Sequence, residues 1–152
     1  MALKDDIALF QQLSIFEGLS DDHLRLLAFG AERRRLEKGH VLFRQGASAD
    51  SAFVVTKGRL KLSMHAATGG GERPLGEAGP GSILTEIAMI TEAERHFTAT
   101  ALEESEVIRI SRILFRRMLE EYPEVAVATD RRLRENFSRL ASAAQTSAEK
   151  FR

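Results

Sequence analysis

Apolar positions along the chain fall into three spacing regimes. From Leu3 to Ala28 they recur at helical intervals: Ile7, Leu9, Phe10 and Leu13, then Leu24, Leu26, Leu27 and Phe29. This predicts short amphipathic helices. Ser20-Asp21-Asp22 opens the second run; a serine that accepts from the first amides, followed by acids at the positive end of the dipole, marks a helix start. From Arg33 to Ile110 the pattern changes to short aliphatic and β-branched stretches: Val41–Phe43, Ala52–Thr56, Arg59–Met64, Arg73–Leu75, Thr98–Leu102 and Glu106–Ile110. Glycines punctuate them at Gly39, Gly46, Gly58, Gly69 to Gly71, Gly76, Gly79 and Gly81. Strands so spaced predict a sandwich or jelly roll, with the triple glycine at a hairpin tip.

Ile83–Ile90 interrupts the strands with an almost wholly apolar run after Gly79-Pro80-Gly81. It is too short for a free-standing helix but rich in helix formers, so one or two helical turns are expected. The third regime is helical again. Ser111 is the expected N-cap, with Ile113, Leu114, Met118 and Leu119 on one face up to Tyr122-Pro123. Beyond it Leu133, Phe137, Leu140 and Ala144 fall at intervals of four, three and four. That is the seam of a short coiled coil and implies a homodimer.

Composition narrows the function classes. The 22 basic and 22 acidic side chains among 152 residues give a formal net charge of zero, which argues against a dedicated nucleic-acid surface. The absence of cysteine removes disulfides, thiolate metal sites and thiol nucleophiles. No apolar run approaches the roughly 18 residues of a membrane span, and Asp5 and Asp6 near the start are unlike a signal peptide. A cytoplasmic protein with no membrane partner is the default expectation. His23, His40, His65 and His96 are scattered rather than clustered, so no metal site is expected. No serine lies in a Gly-x-Ser-x-Gly turn; no catalytic residue, enzymatic activity or cofactor is expected. Arg33-Arg34-Arg35 and Arg131-Arg132-Arg134 each adjoin acidic residues and read as solvated faces.

The chemistry concentrates between Gly81 and Ala101. A short helical turn after a glycine presents free amides, and amides at a helix start attract anions. Arg95, nine residues after Glu86, can return on the next strand and offer a planar fork to a phosphate. A carboxylate there suits a neutral hydroxyl pair such as a ribose. Taken singly, Glu86 reads as an exposed helix glutamate and Arg95 as a surface partner of Glu92 or Glu94.

Gly81-x-x-Leu84-Thr85-Glu86-Ile87-Ala88-Met89, followed by Arg95-His96-Phe97-Thr98-Ala99-Thr100-Ala101, resembles the phosphate-binding cassette of cyclic-nucleotide-binding domains of the catabolite-activator type. Lys38–Gly46 and Phe53–Leu60 are similar to the family's first strands. The resemblance implies an α+β fold over the whole of 1–152: an antiparallel β-roll (a double-stranded jelly roll) at 31–110, N-terminal helices at 1–30 and a long C-terminal helical segment at 111–145. It implies a stand-alone sensor for cAMP or cGMP that signals to a downstream protein through the C-terminal helix. Glu86 would accept from the ribose 2′-hydroxyl and Arg95 would pair with the cyclic phosphate. Amides of Ile87, Ala88 and His96 would complete the cradle, which Thr85 would also line, with Leu60 and Leu75 as an apolar wall. The family's transcription factors carry a helix-turn-helix after the long helix, and the sequence ends at Arg152, so no direct DNA binding is expected.

Two departures open an alternative. Thr85 stands where the family has glycine, and a β-branched residue suits a left-handed backbone poorly. His96 and Phe97 replace small residues. If these three fill the pocket, the roll is a protein-interaction module that binds no nucleotide.

Overall fold

The computed structural model describes residues 2–66, 71–123, 131 and 135. Its architecture follows from two strands that bury both faces. β4 (Ser51–Lys57) and β10 (Ser105–Ser111) pair antiparallel at the centre of one sheet. Alternate side chains of a strand point to opposite faces, so Ala52 and Val54 of β4 enter one core and Phe53 and Val55 another. Ile108 and Ile110 of β10 likewise join the first core and Val107 the second.

The sheet is completed by β1 (Glu32–Leu36) and β7 (Ile83–Leu84) in the order β1-β10-β4-β7. A facing sheet contains β2 (Val41–Phe43), β5 (Leu60–His65), β6 (Glu72–Ala78) and β9 (Thr98–Ala101) in the order β2-β9-β5-β6. A short ribbon joins β3 (Ser48–Ala49) to β8 (Ala93–Glu94). Every strand pairing among the described residues is antiparallel, which is the expected β-roll. Its interior holds Leu36, Phe43, Phe53, Val55, Leu60, Leu84 and Val107.

Helices cover the outer face of the first sheet. α1 (Ala2–Gln11), a 3-10 turn at Ser14–Phe16, α2 (Asp21–Gly30) and α3 (Arg112–Glu121) pack Phe10, Phe16, Leu24, Leu27, Phe115 and Met118 onto it. Both expected caps form. The Ser20 hydroxyl accepts from the His23 amide at 3.3 Å while His23 Nδ1 accepts from the Ser20 amide at 2.9 Å. Ser111 Oγ accepts from the Leu114 amide at 3.1 Å. None of the helices among the described residues is long and apolar enough to cross a membrane.

Several details differ from the sequence reading. Phe29 and Ile113, counted with the apolar helix faces, are 82% and 74% exposed, because each points away from the sheet its helix covers. β1, β3, β7 and β8 were not anticipated; two-residue strands carry no periodicity, and β1 is hidden in a charged run. Within that run Arg33 does not simply face solvent. It donates to both carboxylate oxygens of Asp6 on α1, at 2.6 and 2.7 Å, and to Glu106 on β10. The arginine run therefore ties the N-terminal helix to the roll. The triple-glycine tip lies largely outside the described residues, as does the Leu133–Phe137–Leu140 seam.

Candidate functional site

The site is built where one segment passes through the wall of the roll. After β6 the chain turns at Gly79-Pro80-Gly81. Gly81 has φ of 92°, a conformation glycine adopts without strain. Its amide donates to Val55 O and the Val55 amide donates to Ser82 O, both at 2.9 Å. β7 then pairs Ile83 and Leu84 with Val54 and Phe53. Leu84 packs inside the roll, whereas Met89, five residues on, packs among the helices. Between them lies a single 3-10 turn, Glu86–Met89.

Thr85 makes that transition. Its φ of 59° and ψ of 48° are left-handed, and it is the only non-glycine residue with positive φ among those described. A left-handed backbone costs an L-residue about 1–2 kcal/mol. The Thr85 carbonyl closes the turn by accepting from the Ala88 amide at 3.1 Å. Its hydroxyl does not cap the turn, and Oγ1 is buried without a hydrogen-bond partner among the described residues. Next to it Glu86 is only 7% exposed and has a partner within the protein. The exposed-glutamate reading therefore fails. Ile87 and Ala88 are buried beside it, and the Ala88 amide is engaged in the turn.

Arg95 returns to the same wall. Its amide donates to Ala47 O at 2.9 Å and its carbonyl accepts from the Gly46 amide at 2.8 Å, extending the β3–β8 ribbon. The side chain is 4% exposed, which excludes a surface ion pair with Glu92 or Glu94. Nη1 donates to Ser51 O at 2.8 Å and Nη2 to Ser51 Oγ at 3.2 Å. The guanidinium carbon lies 4.5 Å from the ring centre of Phe43 and 5.1 Å from that of Phe53, within cation–π range. Burial pushes its pKa down to about 10, more than the charge of Asp50 offsets. Arg95 is still a cation at neutral pH, but one whose lost hydration is incompletely replaced. An anion is its natural complement.

The remaining expected site residues are spread more widely. His96 is exposed and partnered. Phe97 is half-buried against the roll interior, its ring centre 5.4 Å from that of Phe43, so it belongs to the core. Leu60 is fully buried in that interior. Leu75 is 48% exposed at a bulge where Pro74 and Gly76 pair with Ser63 and Leu62; the two leucines do not share one buried wall. Sequence reasoning missed Ser51, Phe43 and Phe53 around the guanidinium, since strand residues give no sign of which distant side chain they meet. It also missed Arg112, whose Nε donates to Ala88 O at 2.9 Å and Nη2 to Ala49 O at 2.7 Å.

An antiparallel roll whose wall carries a buried glutamate on a short turn, and a buried arginine on the returning strand, belongs to the class of small-ligand regulatory β-rolls. The family model described as "Cyclic nucleotide-binding domain" matches residues 33–122, and the chain belongs to that family. It is 30% identical over 125 residues to the Cyclic AMP receptor protein of Thermus thermophilus, covering 80% of this chain and 57% of that protein. It is 31% identical over 99 residues to Lysophospholipase nte1 of Neurospora crassa, covering 65% of this chain and 6% of that one. The chain thus spans only part of these relatives. A cyclic nucleotide-binding-like protein from Brucella abortus has a similar solved structure. It has a TM-score of 0.70 and 45% identity, over 76% of this chain and 98% of that one.

Proposed function

We propose that this domain is a sensor that binds cAMP or cGMP within the β-roll and signals by movement of its C-terminal helix. One observation carries the reading: Arg95 is a buried cation whose side-chain hydrogen bonds go to the neutral carbonyl and hydroxyl of Ser51, placed nine residues after a buried glutamate. The cyclic phosphate would pair with the Arg95 fork and the ribose 2′-hydroxyl would donate to Glu86. The amides of Ile87 and His96 would line the phosphate, while that of Ala88 is held by the Thr85 carbonyl.

A ligand shifts a conformational equilibrium only through its different affinities for the two states. Two contacts support α3 as the element that responds. Met89 of the ligand-side turn packs with Leu114, Phe115 and Met118 of α3. Arg112, the first residue of α3, holds the Ala88 carbonyl. A turn that closes on a phosphate would pull both. The same reading places dimerisation on the Leu133–Phe137–Leu140 seam; light scattering that finds a monomer at high concentration would retire it.

Calorimetric titration with cAMP and with cGMP tests the function. Saturable heat with either nucleotide, lost on Arg95→Ala, is the expected result. No heat and no thermal stabilisation at millimolar concentrations of both would overturn it and leave a protein-interaction module.

A further inference from the structure

We infer that the Thr85 hydroxyl is a ligand contact, bonding a sugar-phosphate oxygen of the nucleotide and favouring ligands that place an oxygen there. The inference rests on the sensor reading above and adds a side chain to it.

Two independent features meet at this residue. Its backbone is left-handed, which glycine would adopt without strain and a β-branched residue does not. Its Oγ1 is buried with no hydrogen-bond partner among the described residues, although buried hydroxyls are nearly always hydrogen-bonded. Neither feature helps the fold. The turn is closed by the Thr85 carbonyl, which any residue supplies, and the hydroxyl makes no cap. Strain and an unmet hydrogen bond that persist together at one position point to a function rather than to packing. Thr85 is bonded directly to Glu86 and closes the turn on which Glu86 and Ala88 sit. A nucleotide there brings hydroxyl donors and phosphate acceptors, and a threonine hydroxyl can pair with either.

The test is calorimetry with cAMP on the full chain and on Thr85→Val, Thr85→Ser and Thr85→Gly, alongside thermal unfolding without ligand. Valine keeps the shape and removes the hydroxyl. It should weaken cAMP about five- to tenfold while the melting temperature of the free protein holds or rises, because no internal bond is lost. Serine should stay within about threefold. Glycine relieves the strain, so it should raise the melting temperature and still weaken binding. Repeating the valine comparison with 2′-deoxy-cAMP assigns the contact. A penalty that disappears marks a ribose hydroxyl, and one that persists marks a phosphate oxygen. Equal cAMP affinity of wild type and Thr85→Val overturns the inference alone, as does a lower melting temperature of the valine variant without ligand. Absence of cAMP and cGMP binding to wild type removes the sensor reading and this inference together.

Discussion

Arg95 and Arg112 hold the same three-residue segment. Arg95 reaches the carbonyl and hydroxyl of Ser51, and Arg112 reaches the carbonyl of Ala49. The backbone amide of Arg112 donates to Asp50 O at 2.8 Å between them. The candidate anion ligand and the first residue of α3 are therefore two hydrogen-bonded steps apart. Arg112 also grips the carbonyl of Ala88 in the turn after Thr85, so it spans the ribbon and the turn at once.

Removing that grip should loosen both. Arg112→Ala deletes two charge-assisted hydrogen bonds to carbonyls of the buried residues Ala49 and Ala88, and a loss of about 1.5–3 kcal/mol is expected. Lysine should recover little, because an ammonium lacks the planar fork that reaches two acceptors together. Urea unfolding of the two variants measures this. A lysine variant as stable as wild type would show that only the charge matters.

Arg95 should behave in the opposite way. Its charge is buried beyond what its surroundings compensate, and replacing such a charge by an apolar side chain of similar volume is often neutral or stabilising. Arg95→Met is expected to keep ligand-free stability within about 1 kcal/mol of wild type, while cyclic-nucleotide affinity falls by about a hundredfold or more. Chemical denaturation and calorimetry on one preparation read both quantities. A large loss of stability without ligand would mean that Ser51, Phe43 and Phe53 already satisfy the guanidinium.

The sequence announced most of the roll because β2, β4, β5, β9 and β10 carry β-branched or aliphatic alternation between glycines, and both helix caps carry their serine. It could not announce β3 and β8, two-residue strands whose pairing with each other joins segments more than forty residues apart and shows no local periodicity. Glu86 and Arg95 were legible through their spacing in a family frame. The burial of Arg95 was not, since it depends on Phe43 and Phe53 arriving from strands ten residues apart. The departure at Thr85 was legible as a residue type; the left-handed backbone that makes it costly shows only in three dimensions. Arg33 was misread for a related reason. Its partners Asp6 and Glu106 lie 27 residues before it and 73 after it, outside any local charge pattern.

That Arg33 network gives a pH prediction. Burial raises the carboxyl pKa of Glu106, but the Thr56 hydroxyl and the Arg33 guanidinium together bring it below the ordinary range. A carboxyl whose pKa is lower folded than unfolded contributes stability above its unfolded value and loses it as pH falls through the folded one. Wild type should thus lose stability on acidification below about pH 5, as the link between α1 and the roll weakens. Glu106→Gln should be less stable at pH 7 and show a shallower fall between about pH 5 and 3. Urea midpoints across that range decide it, and parallel curves would remove Glu106 from the acid response.

Two glycines with nearly the same backbone separate strain from crowding. Gly39 has φ of 88° with nothing within 4 Å of an added Cβ, whereas at Gly58, φ 84°, a Cβ would lie 2.6 Å from Glu104 O and 2.7 Å from Ser105 Cα. Gly39→Ala therefore meets only the left-handed penalty, about 1–2 kcal/mol. Gly58→Ala meets the same penalty plus a collision with backbone that cannot rotate away. Relief requires β4 and β5 to part from the 104–105 turn that leads into β10, where the Arg59 amide donates to Ser105 Oγ at 3.2 Å. The loss at Gly58 should exceed that at Gly39 by at least about 2 kcal/mol, seen as a wider gap in urea midpoints at unchanged m-value. Equal losses would mean that the 104–105 turn yields freely, and that the hairpin and β10 are less tightly joined than their contact implies.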